Sequence, residues 1–590
     1  MARPEAALRT SGPALASAAR ANIGPLRKAL ADEGVTLVPL FGLSEERLRT
    51  RMFGVAARAA AATDVPDLSR FYQVDAPPER LEAIAERLRE MEPIEAAYVK
   101  PGAEPAQIND MAPAASDAPP VTPSFESSQG YLNAAPGGID ARFAWTRPGG
   151  TGANVRIIDI EGAWRFTHED LGANQGGVIG GTPSADIGWR NHGTAVIGEF
   201  SGDRNGIGVT GICPDATVRA VAIFGTNFGS AKAIRHAADA LGPGDILLIE
   251  LHRPGPRNGF AVRNDQRGYV AVEWWPDDLA AIQYAIAKGV IVVEAAGNGF
   301  ENLDDAIYDT PAPGFPATWR NPYRRTPVDS GAIVIGAGAP PSGNFGADRS
   351  RLDFSNFGAL VDAQGWGREV VTCGYGNLQG GTNEDLWYTN NFSGTSSASP
   401  IVVGAIACLQ GVLVAAGEPA LNPAQVRNFL RNTGSLQQNG PSGTTAQRVG
   451  NRPDLRALID AAVPKPKEKE KEDLKDVKEK EKDKEKEFKE KEKDSKDFKD
   501  KEKEKDGKEV KERIKEFKEI RDKVRDNDPT AASAGSVSDR VSALEQAVGE
   551  LSHFISADLR PDLSTSALGD DRTAAKQLKD EKDTEKLPER

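Results

Sequence analysis

Short, nearly continuous apolar runs alternate with longer segments of helical period between residues 125 and 463. The runs 155–160, 217–224, 245–251, 289–296 and 331–338 are rich in Ile, Val and Ala. Strands apolar on both faces sit in sheets covered on both sides, as parallel sheets are. The segment 279–289, LAAIQYAIAKG, predicts a crossover helix ended by a Gly. The stretch 401–417 is apolar all round and predicts a buried central helix. Together these patterns predict an α/β domain with a doubly wound parallel sheet over 125–463. Residues 1–102 read as a small α+β domain, with helices over 17–33, 44–52 and 79–91 and strands at 34–42, 70–74 and 96–100. In the last of these helices Leu81, Ile84 and Leu88 form one apolar stripe. Residues 103–124, dense in Ala, Pro, Asp and Ser, read as a flexible linker.

Beyond residue 463 the pattern changes. Residues 464–528 are almost all Lys, Glu and Asp, which predicts a solvated segment with marginal helix and no core. Val541, Leu544, Val548, Leu551 and Ile555 then follow a heptad within 536–560. That spacing predicts an amphipathic helix or a short coiled coil, a candidate element for self-association through 541–555. Residues 561–590 read as a disordered tail.

At 590 residues the chain exceeds what one core serves, so more than one folded unit is expected. A net charge of −13, with the basic residues of the tail interleaved with acids, argues against nucleic acid as partner. Cys213, Cys373 and Cys408 are scattered too widely for a disulfide framework or a metal site and read as small buried residues. The N-terminus lacks an uninterrupted apolar core of signal-peptide length, and no membrane span is expected. The compartment is left open.

The strongest chemical signal is GTSSASP, from Gly394 to Pro400. A serine at a helix start lies where the dipole favours developing negative charge. Such a serine needs a base. Of five histidines, His192 stands in NHGTAVIGEF, flanked by small Gly193 and Thr194. The base needs an orienting carboxylate, and Asp159 closes the apolar run at 155–160, the strand end where such folds place function. His168, in FTHEDL, is the rival histidine and reads as a loop residue.

An Asp closing a strand, His-Gly-Thr and Gly-Thr-Ser-x-Ala-x-Pro, in that order, resemble the subtilisin-like serine proteases. AAGNG adds a fourth match, with Asn298 where that family carries its oxyanion-hole asparagine. The resemblance covers roughly 127–462. It implies a subtilisin-like fold and a serine endopeptidase acting on polypeptides, with Asp159, His192 and Ser396 as the triad and Asn298 stabilising the oxyanion. Glu250, Leu251 and His252 fall where the family's substrate-binding strand has Ser-Leu-Gly, and Ala296 and Gly297 complete the expected substrate-binding set. No cofactor is implied. Calcium, bound by many relatives, would find only the acidic stretch 301–309, which matches no defined calcium loop. The first domain resembles, more loosely, the family's propeptide. The rival readings are a catalytically silent scaffold of the same fold and an esterase or amidase.

Overall fold

The computed structural model describes residues 1–12, 14–58, 65–106, 115, 117–464 and 515. The charged segment, apart from Lys515, and the heptad at 541–555 lie outside the described residues. In chain order the first domain contains β1 (Leu8–Ser11), β2 (Ala14–Ser17), α1 (Gly24–Glu33), β3 (Val38–Pro39), α2 (Glu45–Ala56), β4 (Tyr72–Gln73) and α3 (Pro78–Arg89). The helix expected from residue 17 begins only at Gly24, because residues 14–17 pair with 8–11 as a hairpin. Residues 96–100, expected as a strand, pair with no sheet. Leu26, Leu30, Ile84, Leu88 and Leu37 form the core of this domain.

A short strand, β5 (Glu104–Pro105), follows where a flexible linker was expected. The second domain then carries α4 (Ala141–Ala144), β6 (Arg156–Glu161), β7 (Gln175–Gly180), α5 (Ile187–Ser201), β8 (Thr217–Ala222) and α6 (Ser230–Ala240). Next come β9 (Ile246–Ile249), β10 (Leu251–Pro254), β11 (Tyr269–Ala271), α7 (Pro276–Ala287), β12 (Ile291–Ala295) and β13 (Ile333–Gly338). Last are β14 (Ala363–Trp366), β15 (Val370–Cys373), β16 (Tyr388–Phe392), α8 (Thr395–Ala415), α9 (Pro423–Asn432) and α10 (Leu455–Ala462).

Seven strands form one parallel sheet in the order β14-β13-β12-β9-β6-β8-β7. This is the parallel α/β sheet that the sequence pattern predicts, in keeping with the fold that the resemblance implies. Alternate residues of the central strands serve opposite layers. Ile157, Leu248 and Val293 pack with α5 and α8, whereas Ile158, Leu247 and Val292 pack with α6 and α7. By length and composition α8 is apolar enough to cross a membrane, contrary to the expectation that no such run exists; 89% of its most apolar window is buried as the central core helix. The three cysteines are free and buried.

Two departures shape the site. The run read as one strand, 245–251, breaks at Glu250: β9 stays in the sheet, and β10 leaves it to pair antiparallel with β11 on one side and β5 on the other. The segments 261–278 and 308–325 pack together as an aromatic core of Trp274, Trp275, Phe315 and Trp319. Three of the four carboxylates in the acidic stretch 301–309 pair with arginines, Glu301 and Asp305 with Arg257 and Asp309 with Arg324, and the fourth, Asp304, accepts from the Ala359 N–H. Among the described residues no group of three or more His, Cys, Asp or Glu is placed to hold a metal.

The first domain lies against α6 and α7. Phe41, Leu48, Met52 and Phe71 share a core with Ile234, Ala237, Ile282 and Tyr284. Tyr98 donates to Asp277 at 2.9 Å, and Lys100 pairs with both Asp277 and Asp278. This surface delivers the chain at residues 104–106 to the edge of β10.

Candidate active site

Ser396 is the second residue of α8. The first amides of a helix have no intrahelical acceptor, so they point outward as free donors. The Ser396 N–H donates to the carbonyl oxygen of Ala106 at 3.2 Å, and Ser396 Oγ donates to the same oxygen at 2.5 Å. Gly394, at φ 113°, makes the turn into the helix in a region that side chains disfavour. Pro400 is the sixth helical residue. Having no N–H, it cannot donate to the Ser396 carbonyl.

His192 lies within α5 and is fully buried, its ring edge-on to Phe392 at 5.5 Å. Here the structure departs from the sequence reading. Nδ1 of His192 lies 2.8 Å from both carboxylate oxygens of Glu161, whereas Asp159 accepts from Trp164 Nε1 at 2.7 Å. The reason is positional. Asp159 and Glu161 sit two apart on one face of β6, but Asp159 is mid-strand, paired with Ala220 and Leu248, and Glu161 is the last strand residue. Only Glu161 combines the strand end with an extra methylene of reach. A carboxylate at Nδ1 selects the tautomer that leaves a lone pair on Nε2. Nε2 of His192 is buried with no partner. Burial pushes the His192 pKa down to about 3 and raises those of Glu161 and Asp159 well above the carboxylate range. His168, the rival, is buried elsewhere, donating to the Trp387 carbonyl at 2.8 Å.

Asn298 is fixed by its oxygen: Oδ1 accepts from Thr395 N and Thr395 Oγ1, both at 2.9 Å. Its amide nitrogen therefore remains a donor, buried and unpartnered. Gly297 beside it has φ 94°, and a Cβ there would come within 2.8 Å of Asn356 Nδ2. Ala296 offers its carbonyl to the same Asn356 amide at 2.8 Å.

Leu251 and His252 stand opposite Pro105 and Glu104 in the β10–β5 ladder. Glu250, just before the break, turns inward: Ser399 Oγ donates to it, and its other oxygen is unpartnered. Burial, then the charges of Glu161 and Asp159, raise its pKa, with the Ser399 hydroxyl opposing. A stability prediction follows. An unfolded Glu ionises near about pH 4.3. Above that pH the folded chain still binds the proton, so folded stability falls as pH rises. Glutamine cannot ionise. In a Ser396→Ala background, Glu250→Gln is expected to lose less of its melting temperature between about pH 5 and pH 8 than the parent. Equal losses in calorimetry would contradict a buried neutral Glu250.

Backbone pairing at a strand edge, a helix-start serine, a histidine held by a carboxylate and an oriented asparagine are the kinds of group that acyl transfer uses. Comparison with known proteins agrees with that class. Residues 174–452 match the model of the subtilase family. The match begins after β6, so it leaves out both Asp159 and Glu161. Subtilisin DY of Bacillus licheniformis is 28% identical over 284 residues, 48% of this chain and 84% of its own. Subtilisin NAT of Bacillus subtilis subsp. natto is 26% identical over 295 residues, 49% of this chain and 63% of its own. Among solved structures, a protease from Pseudoalteromonas arctica aligns over 59% of this chain and all of its own, at 21% identity and a TM-score of 0.39. The chain resembles the subtilisin-like serine proteases, and that similarity supports serine protease activity on polypeptides in general terms.

Proposed function

We propose that the chain is a serine endopeptidase working through an acyl-enzyme, with Ser396 as nucleophile, His192 as general base and Glu161 as the orienting carboxylate. The observation that carries this reading is the Ala106 carbonyl. A peptide carbonyl rests on the Ser396 hydroxyl and amide while its chain is paired with a strand edge, the attitude of a substrate before attack. In the reaction Oγ attacks the carbonyl carbon and its proton passes to Nε2 of His192. Glu161 holds the resulting imidazolium. The Ser396 N–H and Asn298 Nδ2 receive the oxyanion. His192 then gives its proton to the departing amine, and water releases the acyl group by the reverse path.

The same contact supports a propeptide role for residues 1–102, which hold the cleft occupied until the bond between Ala106 and Gln107 is cut. Intact mass measurement tests this. Wild-type chain is expected as fragments 1–106 and 107–590, and Ser396→Ala as one full-length species. An uncut wild type that hydrolyses peptides would make the first domain an accessory module, and a cut Ser396→Ala would point to another protease.

Asn298→Ala is expected to slow self-cleavage by about 10²–10³-fold, because its free amide meets charge formed only in the transition state. The rate constant, followed by gel after refolding, checks this. An unchanged rate would remove Asn298 from the oxyanion site.

A further inference from the structure

The segment in the cleft defines what the cleft accepts. Glu104 faces Tyr269, whose hydroxyl lies 2.8 Å from its carboxylate. That hydroxyl already accepts from the Arg263 N–H at 3.0 Å. Its single proton is thereby left for an acceptor on the substrate, whereas an ammonium in the same place would compete with the Arg263 N–H for the hydroxyl oxygen. Gln266 Nε2 donates to the Pro105 carbonyl at 3.1 Å, fixing the register of the middle residue. Proline is compatible there, opposite Leu251, in a chain of only two paired residues at a sheet edge.

Ala106, the residue before the reacting bond, is fully buried. His252, opposite Glu104 in the ladder, lies on the strand face that Ala106 shares two residues along, where the resembling family carries a glycine. Its ring packs edge-on to Tyr269 at 4.8 Å, its Nδ1 accepts from Asn298 N at 3.3 Å, and it faces the Pro105 backbone. A buried imidazole pinned on two sides takes up room that a large substrate side chain would need.

We infer that the protease selects polypeptides with a small residue before the cut bond and a glutamate-length acceptor side chain two residues earlier, with Tyr269 and His252 as the specificity-determining residues. The inference rests on the protease reading above.

Fluorogenic peptides ending Glu-Pro-Ala, Lys-Pro-Ala and Glu-Pro-Phe before the dye test it, using self-cleaved wild-type enzyme titrated with a fluorophosphonate. Glu-Pro-Ala is expected to exceed Lys-Pro-Ala in kcat/KM by about 10–100-fold, the range for a hydrogen bond to a charged group. Tyr269→Phe is expected to abolish that ratio, chiefly by lowering Glu-Pro-Ala turnover. His252→Ala is expected to raise Glu-Pro-Phe relative to Glu-Pro-Ala. Titratable enzyme that cleaves the three peptides alike, or a Tyr269→Phe variant that loses turnover on all three equally, overturns the specificity and leaves the protease reading standing. Enzyme that neither labels nor cleaves overturns both.

Discussion

Glu161→Gln is expected to slow self-cleavage at Ala106–Gln107 by about 10⁴-fold, the loss that follows when the orienting carboxylate of such a triad becomes an amide. The amide keeps the volume and one oxygen of the carboxylate, so the fold survives. It removes the charge that stabilises imidazolium, and its NH₂ can hold His192 in the wrong tautomer. Asp159→Asn, by contrast, keeps an acceptor for Trp164 Nε1 and should stay within about tenfold of wild type. Refolded chains followed by gel give both rate constants in one assay. A severe loss in Asp159→Asn with a mild one in Glu161→Gln would restore the carboxylate that the sequence alone suggests. The comparison is informative because both residues are buried on the same strand face, and general damage to β6 would slow both variants alike.

Ser396→Ala is expected to show the larger loss, about 10⁶-fold, since removing the nucleophile of such a triad costs about as much as removing the whole triad. The structural cost is small. Oγ donates to Ala106, and the Ser396 amide still donates to the same carbonyl when the hydroxyl is gone. The variant should therefore persist as a full-length, folded chain with wild-type helical circular dichroism. An unfolded Ser396→Ala chain would mean that the hydroxyl serves packing.

Much of this architecture is legible in the sequence. The β-branched runs place the central strands within a few residues, because a strand covered on both faces has no polar side to disguise it. The helix at 395–415 is legible for the same reason. What escapes has physical causes. The break at Glu250 is invisible to pattern because β9 runs straight on into Leu251 of β10 with every residue of both strands buried, and what separates them is which strands they join. The pairing of Glu104 and Pro105 is invisible because it depends on β10, about 150 residues away, and the Ala/Pro/Asp composition around it reads as linker. The pairing of His192 with Glu161 rather than Asp159 escapes because the apolar run ends at 160, one residue before Glu161. Counting alternation from Ile157 puts Asp159 and Glu161 on one face, and only Glu161 borders Gly162 at the strand end. His192 is held at that end by Glu161, and His192, Ser396 and Asn298 each lie in a short motif of their own.

Labelling with a fluorophosphonate, followed by peptide mapping, tests the central claim most directly. Such a probe bonds only to a serine whose hydroxyl is activated by a base. Self-cleaved wild-type chain is expected to carry one adduct, on Ser396, and Glu161→Gln to label far more slowly. A folded wild-type chain that takes no label, or takes it on another serine, would contradict the assignment of Glu161, His192 and Ser396 as a working triad.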